Sequence, residues 1–309
     1  MTIAPTELAA TPSFSIPHRG RMRDLWRRHP TAMAGAILLS LLILMAVFAP
    51  WLGTVDPTLF DAASRDLRPG EAGEITTLEG ETVKHVFLMG SDSFGRDIYS
   101  RVLYGTRVSL IVGLAAALLA LLFGVVCGLS AGYIRWLDGL VMRVMDGIMA
   151  IPAILIAIAV VALWRASLPS VVIAIAIPEI PRVTRLVRAL VLSIREEPYV
   201  EAAVSLGTPT AKIMFGHILP NTIAPLLVQG TYICAFAILL EAILSFLGVG
   251  LPPDIPTWGN IMAEGRVQFV AYPHNVFLPG VFLAITVLAV NILGDGLRDT
   301  LDPKMAKRV

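Results

Sequence analysis

The chain has 309 residues, of which 56% are hydrophobic and only 15% charged, and its mean hydropathy is +0.76. Soluble globular chains have about a quarter of their residues charged, so this composition excludes that class and indicates a membrane protein. The formal net charge of +1 comes without a long basic run, so we expect no nucleic-acid partner. Cys127 and Cys234 both lie in apolar runs, which predicts buried thiols rather than a disulfide or metal pair.

The N-terminal part predicts a cytoplasmic tail, 1–30, followed by the first transmembrane helix, 31–52. This apolar run is uncharged and long enough to cross about 30 Å of hydrocarbon. It is too long for a signal-peptide core, and no small-residue cleavage site follows it. Basic residues favour the cytoplasmic side of a membrane, and the tail carries five arginines. These are Arg19, Arg21, Arg23, Arg27 and Arg28.

Residues 53–107 form a polar segment rich in proline, glycine and acidic residues, which predicts an extracytoplasmic loop. Near its end, Asp97 and Arg101 are four residues apart. This spacing predicts an ion pair that stabilises the turn into the next span.

The second span, from 108 to about 133, carries Gly124, Gly128 and Gly132 at four-residue spacing. Small residues so spaced lie on one helix face and allow another helix to approach closely, so we expect this face to be a packing surface. A kink, or the ordinary tolerance of glycine in membrane helices, is the alternative interpretation.

The third and fourth spans contain charged residues. The third covers about 139–164 and includes Asp146; the fourth runs from 167 to about 190 and includes Glu179 between two prolines. Acidic side chains are costly in lipid, so both should face the bundle interior or water, and the helix is expected to break near Glu179.

Three arginines of the fourth span recur at three-residue spacing and therefore share one helix face: Arg182, Arg185 and Arg188. Near the cytoplasmic end of the span such side chains can extend to lipid headgroups. Contact with a docked protein is the alternative.

The fifth span, 222–247, is interrupted by Glu241, and the sixth covers about 275–293. The pattern predicts an all-α membrane protein with six transmembrane helices and both termini cytoplasmic, the last tail being 299–309. The sides that this topology places inside carry more Lys and Arg than the outer sides.

The sequence carries no sign of enzymatic chemistry. No Gly-x-x-x-x-Gly-Lys-Ser/Thr phosphate loop is present, and no two histidines have a helical metal-ligand spacing. We therefore expect a chain that is not an enzyme and that holds neither a cofactor nor a metal.

The polar segment 196–220 predicts two short helices joined by a glycine elbow. Pro198 suits a first helical turn, and Gly207 suits a left-handed C-terminal cap. Thr208 is the expected N-cap of the second helix, with Pro209 at its first position, and that helix should stop before Pro220. An ordinary loop between membrane helices is the alternative.

The residues of this segment resemble the "EAA" loop of ATP-binding-cassette importer permeases. The match consists of Glu-Ala-Ala, a glycine four residues beyond it, and the run His-Ile-Leu-Pro-Asn. In that family the loop is the coupling helix that seats in a cleft of the cytoplasmic ATPase. The resemblance implies this coupling role for Glu201, Ala202, Ala203, Gly207, His217, Pro220 and Asn221.

Further motifs are similar to the dipeptide and oligopeptide subfamily of these permeases. The stretch 89–110 reads MGSDSFGRDIYSRVLYGTRVSL, and three shorter stretches also match: EAILSFLGVG at 241–250, PTWGNIM at 256–262 and NILGDGLRDTLDP at 291–303. The resemblance covers about 30–303. The acidic segment 68–85 departs from it and matches no motif of the subfamily.

The resemblance implies the second permease subunit of a type I importer in the bacterial inner membrane, with a five-helix permease core at 108–298. It further implies a heterodimer with a homologous permease, two cytoplasmic ATPases that bind ATP and magnesium, an extracytoplasmic solute-binding protein, and lipid around the bundle. The mechanism would be alternating access, with dipeptides or oligopeptides as substrates; relatives that import nickel, opines or sugars leave the substrate open.

Polar residues in and beside the spans are candidates for lining or gating the path: Glu179, Glu241, Ser245, Trp258 and Asn260. A structural cap or ion pair is the alternative role for the two acids. An ion-coupled secondary transporter that uses Glu179 or Glu241 is the rival function, and an intramembrane enzyme would need paired catalytic groups that the sequence lacks.

Overall fold

The computed structural model describes residues 30–77 and 80–301. The predicted arginine-rich tail and the last part of the predicted tail 299–309 lie outside these ranges. Within them the chain is almost entirely helical, in agreement with the predicted class, and contains one two-stranded antiparallel sheet.

The first helix of the described residues, α1, covers Pro30–Phe48 and continues into a 3₁₀ turn at Ala49–Trp51. It packs along α11, His274–Leu301, the last helix that the structure describes. Gly35 is the point of close approach, because a Cβ there would lie 2.7 Å from the backbone nitrogen of Leu293.

The loop after α1 contains a β-hairpin that the sequence pattern did not predict. Strand β1, Glu71–Thr76, pairs with β2, Thr82–Phe87, from Glu71 opposite Phe87 to Thr76 opposite Thr82. The hydroxyl of Ser64 fixes β1 to the preceding loop, since it donates to the carbonyl of Glu74 at 2.7 Å and accepts from its N–H at 2.9 Å.

The long helix α2 covers Ile98–Tyr133, so it begins ten residues before the predicted span. Asp97 caps its N-terminus by accepting from the backbone N–H of Ser100 at 3.0 Å. The predicted ion pair between Asp97 and Arg101 is therefore wrong. The guanidinium of Arg101 instead contacts Glu264, 3.4 Å away.

The predicted third span is two helices, α3 at Arg135–Met149 and α4 at Ala153–Leu163, which meet at an angle of 88°. Pro152 lies at the break. Proline lacks an N–H and restricts the residue before it, so a continuous helix through this position is disfavoured. The predicted third span is therefore bent at Pro152 if the two helices cross as one.

The predicted fourth span consists of α5, Leu168–Ala176, a 3₁₀ turn at Ile177–Glu179, and α6, Ile180–Arg195. Ser167 caps α5, with Ser170 closing a reciprocal capping box. The predicted helix break near Glu179 is thus a tight 3₁₀ turn.

The remaining helices complete the bundle. They are α7, Pro198–Ser205; α8, Thr210–Ile213; α9, Leu219–Phe246; and α10, Trp258–Gly265, which precedes α11. A π-helical segment at Met214–Ile218 joins α8 to α9.

Helix α2 is the centre of the bundle. It contributes buried side chains to all three apolar clusters, and its most extensive contact is with α6. One cluster joins it to α4 and α5, one to α6 and the 196–220 segment, and one to α10 and α11.

Four helical stretches among the described residues are long and apolar enough to cross a membrane: Pro30–Trp51, Ile98–Tyr133, Thr210–Phe246 and His274–Thr300. The bent pair α3–α4 gives a fifth if it counts as one span. Six spans are compatible with this result, because α5 and α6 together are long enough to cross but carry the three arginines.

Candidate functional site

The segment 196–220 folds as a helix, a glycine elbow and a second helix. Helix α7 begins at Pro198 and ends in a Schellman motif: the N–H of Gly207 donates to Val204 O at 2.9 Å, and that of Thr208 to Ala203 O at 3.1 Å. Gly207 has φ +73°, the left-handed conformation that the sequence predicts. A β-branched residue would be strained here.

The second half of the elbow differs from the prediction. Helix α8 begins at Thr210 with Pro209 as the residue before it, so Thr208 is not its N-cap. The helix also does not stop at Pro220. The π segment carries the helical path into α9, with Pro220 in the first turn of α9, directly after the i→i−5 hydrogen bond from Leu219 N–H to Met214 O. The elbow is therefore joined to a membrane-crossing helix without a loop.

The inner face of the elbow is fixed to the bundle. Val200, Ile213 and Ile218 are fully or almost fully buried in the cluster that includes Val187 and Val191 of α6. Ala203, which the family resemblance places in the coupling motif, also faces inward. These contacts attach the elbow to α6 and to the start of α9.

A polar contact closes the elbow on itself. The side-chain amide of Asn221 donates to the carbonyl of His217 at 2.6 Å and to the hydroxyl of Tyr199 at 3.2 Å. The rings of Tyr199 and His217 are 6.4 Å apart, centroid to centroid. Two predicted coupling residues thus connect the start of α9 to α7, a role that the sequence did not specify.

The outer face of the elbow is apolar and exposed. Leu206 is 85% exposed, and Glu201 and Ala202 of α7 are exposed as well. Phe215, which is 63% exposed, instead lines an apolar groove together with Leu122 of α2. Large apolar side chains that protrude from a polar loop mark a surface for a protein partner.

Four of the five candidate path residues lie in one buried cluster between α9 and α10. The carboxylate of Glu241 accepts from the hydroxyl of Ser245 at 2.8 Å. The amide of Asn260 donates to three backbone carbonyls of the loop between these helices, at 3.0–3.2 Å. Trp258 donates its indole N–H to the carbonyl of Val102 at 3.2 Å. The cluster holds the 247–257 loop against the bundle.

Glu179, the fifth candidate, has a different partner. It is buried on the 3₁₀ turn and pairs with Arg182 at 3.0 Å. From the sequence, a structural ion pair was the alternative to a path role for Glu179, and this contact is such a pair.

The other two arginines of the predicted three-residue spacing, Arg185 and Arg188, also pair with acids, both on α3. Arg188 forms a two-pronged pair with Asp138, at 2.5 Å and 2.7 Å, and Arg185 contacts Asp146 at 2.6 Å. From the sequence, we expected these arginines to extend to lipid headgroups, with contact to a docked protein as the alternative. The structure adds pairs between helices, which sequence spacing could not reveal because the partners are 39 and 50 residues away.

The glycine stripe of α2 lies along a valine stripe of α6. A Cβ on Gly124, Gly128 or Gly132 would come within 2.4–2.6 Å of the Cβ of the facing valine. The valines are Val183, Val187 and Val191.

No group of three His, Cys, Asp or Glu side chains within residues 30–77 and 80–301 could hold a metal ion. The cysteines 127 and 234 are unpaired and partly buried.

Comparison with known proteins agrees with this geometry. Residues 106–307 match the family model of the binding-protein-dependent transport system inner membrane component, and residues 20–69 match that of the N-terminal transmembrane domain of oligopeptide transport permease C.

Curated relatives extend over almost the whole chain. A probable peptide ABC transporter permease of Sinorhizobium fredii is 47% identical over 91% of this chain and 92% of its own length. A putative peptide transport system permease of Brucella abortus is 44% identical over 97% and 98%. The dipeptide transport system permease DppC of Alkalihalophilus pseudofirmus is 42% identical over 94% and 90%.

The fold is that of a solved ABC transporter permease. A chain of the inward-facing MetNI methionine ABC transporter superposes with a TM-score of 0.54 at 17% identity, covering 65% of this chain and 96% of that one. The matched model, the relatives and the fold lead to one conclusion: the chain belongs to the family of inner membrane components of binding-protein-dependent ABC transport systems.

Proposed function

We propose that this chain is one permease subunit of an ATP-driven importer, and that it forms part of the path for dipeptides and oligopeptides. The observation that carries the proposal is the elbow at 196–220, with an inner face fixed to α6 and α9 and an apolar outer face. The peptide substrate follows from the relatives, which are named peptide and dipeptide permeases.

The elbow suits the transmission of force. Its outer residue Leu206 offers an apolar contact to an ATPase, and Glu201 adds a charged group to the same loop. Because α8 runs through the π segment into α9, a displacement of the elbow moves the end of a membrane-crossing helix. Packed interfaces switch between discrete arrangements, so a small displacement can drive alternating access.

The polar cluster around Glu241 has a place in the same mechanism. It fixes the 247–257 loop to α9 and α10, at the opposite end of α9 from the elbow. Motion of α9 would therefore carry this loop with it. This link supports a gate role for Glu241, Ser245, Trp258 and Asn260. Glu179, which pairs with Arg182, lies outside this link.

The proposed assembly has several partners. A homologous permease completes the path, two cytoplasmic ATPases bind ATP and magnesium, and an extracytoplasmic solute-binding protein delivers the substrate. In this arrangement both termini and the elbow are cytoplasmic, and the hairpin loop is extracytoplasmic. The chain itself contributes transport and coupling rather than catalysis.

Family membership argues against an ion-coupled secondary transporter. The two acids that such a mechanism would use both have structural partners: Glu179 pairs with Arg182, and Glu241 accepts from Ser245. Nickel, opines and sugars remain substrate alternatives within the same permease type.

The test is reconstitution. The chain is co-expressed with its neighbouring transporter genes, purified through a tag on the chain, and placed in liposomes with the solute-binding protein. We expect ATPase subunits to co-purify and a dipeptide panel to stimulate both ATP hydrolysis and uptake. Purification without an ATPase would overturn the importer assignment, and stimulation only by nickel, an opine or a sugar would overturn the peptide assignment.

A further inference from the structure

The middle of α9 carries an exposed strip of aromatic and apolar side chains. Tyr232, Phe236, Leu239 and Ile243 recur every three or four residues and therefore share one helix face. Tyr232 is 37% exposed, Leu239 is 39% exposed, and Phe236 is partly exposed. The strip belongs to the stretch Thr210–Phe246, which is long and apolar enough to cross a membrane. Its surroundings are therefore lipid, a partner chain or a water-filled space.

Charged side chains flank this strip on both sides. On one side, the guanidinium of Arg182 on α6 stacks over the ring of Phe236, 5.5 Å from the ring centre. On the other side, the hydroxyl of Tyr232 donates to the carboxylate of Asp295 on α11. The side chain of Arg182 is 51% exposed, and Asp295 is exposed as well. The strip is thus the centre of a polar surface that extends over three helices.

This surface does not suit contact with lipid. Arg182 and Tyr232 lie well inside the predicted spans 167–190 and 222–247. Asp295 lies at the depth of Tyr232, because the two side chains are hydrogen-bonded. Charged side chains at such positions face the interior of a bundle or a water-filled cavity, since their transfer into hydrocarbon is costly.

Water covers this surface better than a second protein would. Arg182 donates to both oxygens of Glu179 through Nη1 alone, at 3.0 and 3.2 Å, and its Nε and Nη2 have no partner among the described residues. The neighbouring pair of Arg185 and Asp146 is also open, with 46% and 59% of the two side chains exposed. A dry interface would leave such donors unfilled at a cost, whereas water supplies acceptors.

Another face of α9 has the opposite character. Together with α2, its first turns form an apolar groove of about 690 Å³, which is lined by apolar residues and Ser130. The groove includes Leu227 of α9 and Leu118 of α2, which are 49% and 58% exposed. These side chains are more exposed than those of the strip, but lipid tails are as apolar as leucine and can cover them.

We propose that the strip 232–243 is the wall that this chain contributes to a water-filled substrate path, bounded by Arg182 on α6 and Asp295 on α11. The groove that contains Leu227 faces lipid. The proposal rests on the importer function proposed above and adds which face of the chain the substrate passes. The strip ends at Ile243, shortly before the 247–257 loop, so the proposed gate lies at the end of this wall.

The test is the reaction of single cysteines with a charged, membrane-impermeant thiol reagent. Cys127 and Cys234 are first replaced by alanine. The whole transporter complex is placed in lipid nanodiscs, in which the reagent reaches both faces of the membrane, and reaction rates are measured with and without ATP.

The two faces of α9 should differ in reaction rate. We expect Tyr232→Cys and Leu239→Cys to react at least about tenfold faster than Leu227→Cys in one of the two conditions, because the thiolate is the reactive form and a thiol in lipid does not ionise. Leu118→Cys, in the wall of the groove that α2 provides, should react as slowly as Leu227→Cys.

Leu227 is a matched control because it lies on the same helix and is more exposed than Tyr232. It is also nearer to the elbow end of α9, by about 7.5 Å at a rise of 1.5 Å per residue. Depth and exposure alone would therefore favour reaction at Leu227→Cys. A faster reaction at Tyr232→Cys reports which face is in contact with water.

Peptide uptake connects the water-filled space to transport. The Leu239→Cys and Leu227→Cys complexes are treated with a bulky reagent and then reconstituted into liposomes with the solute-binding protein. Uptake by the Leu239→Cys complex should fall at least about tenfold, because the attached group narrows the path. Uptake by the Leu227→Cys complex should stay unchanged.

Equal rates at the strip and in the groove, or faster reaction in the groove, would overturn the proposal. If Tyr232→Cys fails to assemble because the contact with Asp295 is lost, Leu239→Cys decides, since its apolar side chain makes no polar contact. Slow reaction at the strip in a complex that takes up peptide would show that the homologous permease or lipid covers this face, and would leave the importer function intact. A complex that takes up no peptide before treatment would overturn the importer function and, with it, the assignment of the wall.

Discussion

Gly128 of α2 lies directly against Val187 of α6. A Cβ on Gly128 would be 2.6 Å from the Cβ of Val187 and 2.8 Å from the carbonyl oxygen of Thr184. No side chain fits at these distances, so the two helices are as close here as their backbones allow. Gly124 and Gly132 repeat the contact one turn to either side.

Replacing Gly128 should therefore loosen the central helix pair. Gly128→Ala adds one methyl group and should destabilise the purified complex by roughly 1–3 kcal/mol, and Gly128→Leu should prevent assembly. The measurement is the melting temperature in detergent together with the yield of assembled complex.

Gly139→Ala is the matched control. Gly139 lies in α3 with open space at the Cβ position, so the higher helix propensity of alanine should leave stability equal or slightly higher. Normal assembly with leucine at all three glycines would show that the stripe is not a packing surface.

The pair between Asp138 and Arg188 should contribute measurably to the contact between α3 and α6. Both side chains are about 30% exposed, at 31% and 30%, and two hydrogen bonds hold them. Screening by solvent limits the coupling energy in a double-mutant cycle of Asp138→Asn and Arg188→Gln to roughly 0.5–1 kcal/mol.

The neighbouring pair supplies the comparison. Asp146 and Arg185 are 59% and 46% exposed and share one hydrogen bond, so the same cycle should give a smaller coupling energy. A larger coupling energy for this exposed pair would contradict the assignment of Asp138–Arg188 as the stronger link.

Much of this architecture could be predicted from sequence because apolar run length and turn chemistry are local. Gly207 takes the left-handed conformation that its place after a short helix predicts, and Pro198 takes the first turn. The glycine stripe was visible as a four-residue spacing. Its valine partner was not, because nothing in the sequence says which helix packs against α2.

The differences between the sequence predictions and the structure also have physical reasons. Pro152 was counted inside a span, although its missing N–H favours the observed 88° bend. Pro220 was taken as a stop, but a proline is also compatible with the first turn of a new helix, and the π segment makes the connection continuous. Arg101 was paired with Asp97 by spacing, whereas its partner Glu264 comes from a distant helix.

Glu241 should be important for structure through its hydrogen bonds. Glu241→Ala would leave Ser245 without its acceptor in a buried site and should destabilise the complex by about 1–3 kcal/mol. Glu241→Gln keeps the shape and an acceptor oxygen, so it should retain stability and more than half of uptake. A stable Glu241→Gln complex that transports nothing would show instead that the acid acts in the path itself.

Topology can be tested with single cysteines after Cys127 and Cys234 are replaced by alanine. A cysteine at Glu81, exposed beside the hairpin, should react with an impermeant thiol reagent on cells whose outer barrier has been opened. A cysteine at Thr210, exposed at the start of α8, should react only after the inner membrane is disrupted. The reverse pattern would invert the proposed orientation.

The elbow should couple ATP hydrolysis to transport without being needed for membrane insertion. Gly207 has φ +73° and no atom within 4 Å of a Cβ position, so a substitution there acts through backbone strain and not through a clash. Gly207→Val should distort the Schellman motif, reduce ATPase co-purification and lower peptide-stimulated hydrolysis at least about tenfold, while the amount of chain in the membrane stays normal.

The choice of substituent separates the elbow conformation from side-chain size. Asparagine tolerates the left-handed region far better than valine, so Gly207→Asn should keep most of the stimulation although its side chain is also larger than that of glycine.

Glu201 is exposed on α7, and Glu201→Arg should weaken coupling through a lost or repelled contact with the ATPase. Its neighbours could compensate in the single variant, so the decisive measurement is stimulated hydrolysis in the double variant Glu201→Arg, Gly207→Val. Because both changes lie outside the apolar spans, a loss of stimulation with normal membrane levels isolates coupling from folding. Full stimulation in the double variant would show that force reaches α6 and α9 by another route.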